Sequence, residues 1–525
     1  MKKSFLWWRD GIIYQIYPRS FADSNNDGIG DLQGIISKLD YLQALGVDAI
    51  WLSPIYPSPD VDYGYDVANY IEIDPKFGTM EDFEMLVKEA KKRDIHIILD
   101  LVLNHTSDQH QWFIESKKTK ENPYHDYYLW RDPKPNGDPP NNWQAIFGGS
   151  GWKFDPELGQ YYYHMFYEEQ PDVNWRNPKV REAMLDVFRF WLKKGVDGFR
   201  LDVFNAYFKD PDLKDNPPKF GIRAFDRQQH IYDVSQPEMY PLLGDIRSIL
   251  DQFKETYVVG ETFLADPKLT ASYCGENKLH AAFNFDFAGN RWHPKRFLDS
   301  VQKWYGALSE DAWPNNFLSN HDMKRAATRY SFGEDDRRAK VALAMLLTLK
   351  GTPFVYYGEE IGLRDIPIRK KEDVKDSIGK RFWPLNKGRD GCRAPMQWTE
   401  DKNAGFSEVA PWLPVNDNYA SRNVEQQASD PQSILNFFKK IVAVRKSSPA
   451  LQRGDFTPLT EDPHQVLAYQ RQFEDERVIV ILNFSIREAE FNLPEGSWQS
   501  LMEDATVVES LKLAPYQVSI LKAAA

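Results

Sequence analysis

The chain has 525 residues, 42% of them hydrophobic, and 65 basic against 77 acidic side chains leave a net charge of −12. That length accommodates roughly two to four domains around a large core. A mildly acidic chain without basic clusters argues against a nucleic-acid partner, and no apolar run of roughly 18 residues is present to span a bilayer.

The N-terminal stretch, Met-Lys-Lys-Ser-Phe-Leu-Trp-Trp-Arg-Asp, is basic, but its apolar part is too short for a signal-peptide core, so a cytoplasmic protein is expected. The first strand signal is 11–18, followed by the loop Asp23–Asp31. Apolar residues at 32, 35, 36, 39, 42 and 45 then keep a helical period up to Gly46. A strand at 49–54 precedes a loop holding Asp62-Tyr-Gly-Tyr-Asp66, and a helix at 79–93 follows. The third strand, 95–103, is continuously apolar, as when both faces of a sheet are covered.

From His105 to about Asn174 the chain is rich in Pro, Gly, Tyr and Trp and loses its helical period, which marks an inserted subdomain. A helix at 178–194 restores the pattern and leads through Gly195 into Gly198-Phe-Arg-Leu-Asp202. Further strands are expected at 257–261, 281–285, 316–320 and 353–357. After a charged, loop-rich excursion at 364–430, a helix at 431–446 returns to the main body, and short strands with regular turns follow Pro449. The predicted fold class is α/β: a (β/α)8 TIM barrel with an inserted subdomain after the third strand and a C-terminal antiparallel β-sandwich domain. Its parts are 1–104 with 175–447 (barrel), 105–174 (subdomain) and 448–525 (C-terminal domain). Cys274 and Cys392 form no metal or disulfide pattern and are expected as buried thiols.

Polar residues gather where the predicted strands end: Asn104 and His105, Arg200 and Asp202, Glu261, then His321 and Asp322. The C-terminal ends of barrel strands are where such folds keep their chemistry. Cleaving an acetal needs one ionised carboxylate and one acid that delivers a proton. Alternate strand residues share a face, so Asp202 lies beside Arg200, which keeps it ionised and makes it the nucleophile. Glu261 has no basic sequence neighbour and is the candidate general acid/base. The high aromatic content, 14%, suits either a large core or the C–H faces of sugars.

Over essentially its whole length the chain resembles the α-glucosidase and oligo-1,6-glucosidase branch of glycoside hydrolase family 13, the α-amylase family. The segments that carry the resemblance are Asp100-Leu-Val-Leu-Asn-His105, Gly198-Phe-Arg-Leu-Asp202, Val259-Gly-Glu-Thr262, Phe317-Leu-Ser-Asn-His-Asp322 and Arg393-Ala-Pro-Met-Gln-Trp398. It implies a retaining mechanism through a covalent glucosyl-enzyme, with Asp202 as nucleophile, Glu261 as acid/base and Asp322 as transition-state stabiliser. It also implies that Asp62, Tyr65, His105, Phe147, Gln170, Arg200, His321 and Arg393 hold the terminal glucose, with Asp62 and Arg393 closing its far end. The enzyme would then be exo-acting on short α-glucosides, without an organic cofactor, as a monomer or small homo-oligomer.

The loop Asp23-x-Asn25-x-Asp27-Gly28-Ile29-Gly30-Asp31 places oxygen donors at alternate positions, which suits a structural Ca²⁺ or Mg²⁺. The resemblance adds the Ile29 carbonyl to this ligand set. An Asx-turn loop without metal is the alternative. In this branch a Val after the nucleophile, here Val203, goes with α-1,6 linkages, whereas Phe204–Asp210 and Lys214–Pro217 look more like broader α-glucosidases. Sucrose isomerases of this family carry Arg-Leu-Asp-Arg-Asp where this chain has Arg325-Ala-Ala-Thr-Arg-Tyr330. A trehalose synthase or other transglycosylating relative is less firmly set aside. A non-enzymatic transporter heavy chain would need a membrane helix and can lack catalytic acids.

Overall fold

The structure is a computed structural model describing residues 5–503 and 506–524, so part of the basic N-terminal segment lies outside the described residues. Eight barrel strands are present: β1 (Ile13–Ile16), β2 (Ala49–Leu52), β3 (His96–Leu101), β4 (Gly198–Leu201), β5 (Tyr257–Gly260), β6 (Ala281–Ala282), β7 (Asn315–Phe317) and β8 (Thr352–Tyr356). They belong to one sheet in the order β7-β8-β1-β2-β3-β4-β5-β6. The pairs β3–β4, β4–β5, β5–β6, β7–β8 and β8–β1 are parallel. Almost every strand residue is buried, the state that their continuous apolar runs predict.

The chain divides into two compact units. One comprises Leu52–Glu84 and Ile97–Ala282; the other runs through Trp51, Met85–His96 and from Phe283 onward. In the first of these, the helix Pro178–Lys193 starts on Asn177, whose side chain accepts from the Lys179 N–H at 2.9 Å, with Pro178 at its first position. Val180, Met184, Val187, Phe188 and Trp191 bury one face of it. Phe188 meets Phe199 of β4 edge-on at 5.0 Å, and the Trp191 indole donates to the Tyr70 carbonyl at 2.8 Å. Gly195, at φ +92°, turns the chain out of the helix in a conformation that costs a side-chain residue energy. The inserted region contains a three-stranded antiparallel sheet (Trp130–Arg131, Trp152–Asp155, Gln160–Tyr163) and the short helix Gln111–Ser116.

In the other unit the C-terminal module is a six-stranded antiparallel sheet: β9 (Asp455–Pro458), β10 (Val466–Phe473), β11 (Glu476–Asn483), β12 (Ala489–Ser500), β13 (Thr506–Leu513) and β14 (Val518–Ala523). Their order is β9-β10-β11-β14-β12-β13. Ala468, Ile479, Ile481, Trp498, Leu513 and Leu521 form its core. Arg471, buried, ties β10 to the helix Arg337–Thr348 by donating to the Thr348 carbonyl at 2.6 Å.

Two predicted elements differ. The helix expected over 32–45 is two helices, Leu32–Ser37 and Leu39–Leu45, because Lys38 departs from helical geometry at φ −108°, ψ 6°. The strand expected over 281–285 ends after Ala282, because the Asn284 side chain accepts from the Phe287 N–H at 3.2 Å and starts the helix Phe285–Ala288. Both cysteines are buried and unpaired. No helix among the described residues is long and apolar enough to cross a membrane.

Candidate active site

The first cluster lies at the C-terminal ends of β3, β4 and β5. Register pairs Asp100 with Arg200 and Arg200 with Val259, so the Asp100 and Arg200 side chains share a face of the sheet. Gly198 permits this spacing, since a Cβ there would lie 2.6 Å from the Tyr257 carbonyl oxygen. Arg200 Nη1 donates to Asp100 Oδ1 at 2.7 Å and to Asp202 Oδ1 at 2.6 Å, and its Nη2 is ion-paired with Glu261. The face-sharing predicted for Arg200 and Asp202 is therefore present. The isolation expected of Glu261 is not: the strand before its own supplies the cation that its sequence neighbours lack.

One guanidinium thus serves three carboxylates, with Arg200 and Asp100 wholly buried. Burial pushes the Asp100 carboxyl upward, and the nearby Asp202 charge adds to this, while Arg200 opposes it. Burial works against the charge of Arg200, but Asp100 and Asp202 hold its pKa above the usual value. Directly after Asp202 the backbone is strained: Val203, β-branched and buried, sits in the left-handed region at φ 33°, ψ 40°. Its turn leads to Phe204, whose N–H donates to the Glu261 carbonyl at 3.2 Å. The carriers of the two acids are fastened together by backbone.

Around this cluster stand most of the other predicted residues. The Tyr65 hydroxyl donates to Asp100 Oδ2 at 2.9 Å. His105 Nε2 lies 2.9 Å from the Tyr65 carbonyl, which only accepts, so the proton is on Nε2, and Nδ1 faces the Asn104 amide at 3.2 Å. Gln170 Nε2 donates to the same carbonyl at 3.0 Å and reaches Asp62 Oδ2 at 3.4 Å. Phe147 packs on Tyr167 at 4.3 Å and on Phe166 at 5.8 Å, and Phe166 meets the His105 ring at 5.0 Å, so the inserted region contributes an aromatic wall. Lys209, buried, joins the loop after β4 to this wall through Asp172 and donates to Asn104 Oδ1 at 2.8 Å.

The second cluster, in the other unit, is built on the loop after β7. Gln15 Nε2 faces His321 Nδ1 at 2.8 Å, which directs His321 Nε2 to Asp322 Oδ2 at 3.0 Å. Arg393 Nη2 and Arg389 Nη1 both reach Asp322 Oδ1, at 3.0 and 3.1 Å. Burial would raise the Asp322 carboxyl, but His321, Arg389 and Arg393 overcome it and hold Asp322 well below the usual carboxylate range. Arg393 also donates through Nε to the His321 carbonyl at 2.8 Å, while its buried Nη1 has no hydrogen-bond partner among the described residues. Asp376, ion-paired to Arg389 at 2.9 Å, anchors the arrangement.

In the loop 23–31, Asp23 Oδ1 accepts from the Asn25 and Asn26 N–H groups at 3.1 and 2.8 Å, and Asp27 Oδ1 accepts from Ile29 N–H at 2.8 Å. Asp31 caps the helix Leu32–Ser37 through Gly34 N–H at 2.6 Å and binds the Ser24 hydroxyl at 2.8 Å. Among the described residues no group of three or more His, Cys, Asp or Glu side chains is gathered as a metal centre. The donor set is nevertheless all oxygen, the chemistry a hard cation takes, with the Asp31 carboxylate also engaged by Ser24 and Gly34.

No role for Asp100, Gln15, Lys209, Asp376 or Arg389 is visible in the sequence. Asp100 had a signal, a carboxylate inside an apolar strand, which is costly unless paired. The others come from distant loops or strands, and nothing local marks them.

The chain matches the family described as alpha amylase, catalytic domain, over residues 15–454, and that described as maltogenic amylase, C-terminal domain, over residues 456–520. It is 43% identical over 523 residues to a probable alpha-glucosidase of Rhizobium meliloti (strain 1021), covering 96% of this chain and 94% of that protein. It is 39% identical over 561 residues to an oligo-1,6-glucosidase of Parageobacillus thermoglucosidasius, covering 98% and 99%. Among solved structures, an alpha-glucosyl transfer enzyme superposes with a TM-score of 0.94 at 39% identity, covering 99% of this chain and 100% of that one.

Proposed function

The chain belongs to the α-amylase family of glycoside hydrolases, and we propose that within it this protein is a retaining, exo-acting α-glucosidase that removes terminal glucose from short α-glucosides, with isomaltose-type α-1,6 linkages favoured. The observation that carries this reading is the Arg200 guanidinium engaging Asp202 and Glu261 together. A double displacement needs two carboxyls close enough to act on the same anomeric carbon, about 5–5.5 Å apart in retaining enzymes.

In this reading Asp202, held ionised by Arg200, attacks the anomeric carbon while Glu261 protonates the leaving glycosidic oxygen. The glucosyl ester on Asp202 is then cleaved by water, whose proton Glu261 takes back. Arg200 keeps both carboxyls in reach and compensates whichever bears the charge. Asp322, kept ionised by its own His and Arg neighbours, is suited to stabilising positive charge on the sugar ring. The unpartnered Arg393 Nη1 and the Gln170–Asp62 pair supply donors and acceptors for the hydroxyls of a terminal glucose.

The loop 23–31 is proposed as a structural site for Ca²⁺ or Mg²⁺, held by Asp23, Asn25, Asp27, Asp31 and the Ile29 carbonyl. A bound cation would supply charge neutralisation to a loop with acids at positions 23, 27 and 31. A second reading, glucosyl transfer to a sugar acceptor, is favoured by the similarity to the alpha-glucosyl transfer enzyme. The two share the glucosyl-enzyme and differ in what intercepts it.

A product-resolved assay on equal concentrations of isomaltose, maltose, sucrose and trehalose tests the proposal. Fastest glucose release from isomaltose is expected. Faster maltose cleavage would keep the mechanism and overturn the linkage preference, new disaccharides with little glucose would favour transfer, and no turnover would overturn the proposal.

A further inference from the structure

A cavity of about 580 Å³ opens where the loop 68–71, the start of the helix Gln111–Ser116 and the outer face of the helix Pro178–Lys193 meet, all within one unit. Tyr70, Ile71, Trp112 and Phe190 give it aromatic and apolar walls, and none of them belongs to the catalytic cluster. Ile71 is 47% exposed, so part of its apolar surface is open to a ligand.

His110 lines the same space although it is only 6% exposed. Its Nδ1 accepts from the Trp112 backbone N–H at 3.1 Å, so the neutral ring carries its proton on Nε2. Burial pushes His110 down to about 4, which keeps the ring neutral at physiological pH. Nε2 has no hydrogen-bond partner among the described residues, so a donor on a largely buried ring borders the cavity. Trp112, held edge-on between His110 at 4.6 Å and Tyr127 at 5.3 Å, likewise leaves its indole N–H without a protein acceptor. The Lys193 ammonium on the rim has no partner among the described residues either.

Aromatic faces combined with several unengaged donors suit a ligand that has an apolar C–H face and many acceptor oxygens. A purely apolar ligand would leave the His110 donor desolvated and unsatisfied, which disfavours it. We propose that this cavity is a second carbohydrate site, away from the catalytic cluster, which binds an α-glucoside through stacking on Trp112 and a hydrogen bond from His110 Nε2. The choice of α-glucoside rests on the function proposed above.

The test uses the full chain with Asp202→Ala, which stops turnover, titrated calorimetrically with isomaltotriose. A second, weaker class of site is expected, with a Kd of about 1 mM. Trp112→Ala should weaken it at least about tenfold and leave the first class unchanged. Ala183→Trp, which fills the cavity from the helix surface without removing a core side chain, should abolish it. A single class of site in the parent, or a second class that survives Ala183→Trp, would overturn the proposal. Hydrolysis of isomaltose by the chain with Asp202 intact is read separately: its absence beside an intact second site would defeat only the catalytic reading.

Discussion

Arg200 Nη1 lies 2.7 Å from Asp100 Oδ1, joining a residue of β4 to its register partner on β3. Because the same guanidinium reaches Asp202 and Glu261, Asp100 sets the angle at which Arg200 presents itself to both. Asp100→Asn keeps the shape and removes the charge. A fall in kcat of about 10²-fold is expected, the usual effect of a small misplacement at a reacting centre, with KM changing less. Arg200→Lys should cost at least as much, since a point charge does not reproduce a planar fork. Steady-state kinetics on isomaltose decides it; an unaltered kcat in Asp100→Asn would remove Asp100 from the account.

Asp376 gives a stability prediction with a sign. Burial opposes its charge, but Arg389 and then Arg393 lower its pKa to about 2 from the ordinary 3.8. A depressed carboxyl contributes stability that is fully present above the unfolded pKa and lost as pH falls through the folded one. That contribution, about 2 kcal/mol, should disappear between roughly pH 4 and 2. Asp376→Asn should lower stability by about 2 kcal/mol at pH 7, since Arg389 then keeps only Asp322 as a carboxylate partner, and the gap from the parent should narrow toward pH 2. Urea denaturation across that range measures it; a gap constant with pH would contradict the assignment.

Glu359 predicts the opposite slope. It is wholly buried, accepts from Ser319 and from the Tyr356 N–H at 3.1 Å, and burial raises it to about 7. Because its folded pKa is above its unfolded value, its stabilising contribution is present below about pH 4.5 and lost as pH rises through 7. Glu359→Gln removes this term. Relative to the parent, the variant should gain about 1–3 kcal/mol between pH 5 and pH 8. Parallel melting curves for the two proteins over that range would refute it.

The loop 23–31 predicts a metal effect on stability apart from catalysis. Chelation should lower Tm by a few degrees, corresponding to about 1–3 kcal/mol. Added Ca²⁺ or Mg²⁺ should restore it, and Asp27→Ala should abolish the response. Identical Tm values with chelator and with excess cation would leave the loop as an Asx-turned connection.

Much of the barrel is legible because its period is: apolar runs at β3 and β5 and the amphipathic face of the helix Pro178–Lys193 are local signals. The alternation rule alone places Arg200 beside Asp202. Glu261 shows where local reading stops, because its cation comes from the neighbouring strand and depends on register. Arg389 and Asp376 lie in a segment without periodicity, and their place beside Asp322 is fixed by packing. The early end of β6 at Asn284 is decided by one side-chain hydrogen bond that outweighs the surrounding pattern, and the Lys38 break is a change of backbone dihedrals at one residue that the apolar period does not register. His110 escapes a sequence reading because its significance lies in a donor left without an acceptor.

The most direct test of the central claim, that Asp202 and Glu261 perform a double displacement at one anomeric carbon, is the configuration of the first glucose released. Isomaltose hydrolysis followed by proton NMR from the earliest time points should show α-glucose first, with β-glucose growing only at the rate of mutarotation. β-Glucose as the initial product would mean single inversion and would contradict the assignment of Asp202 as nucleophile.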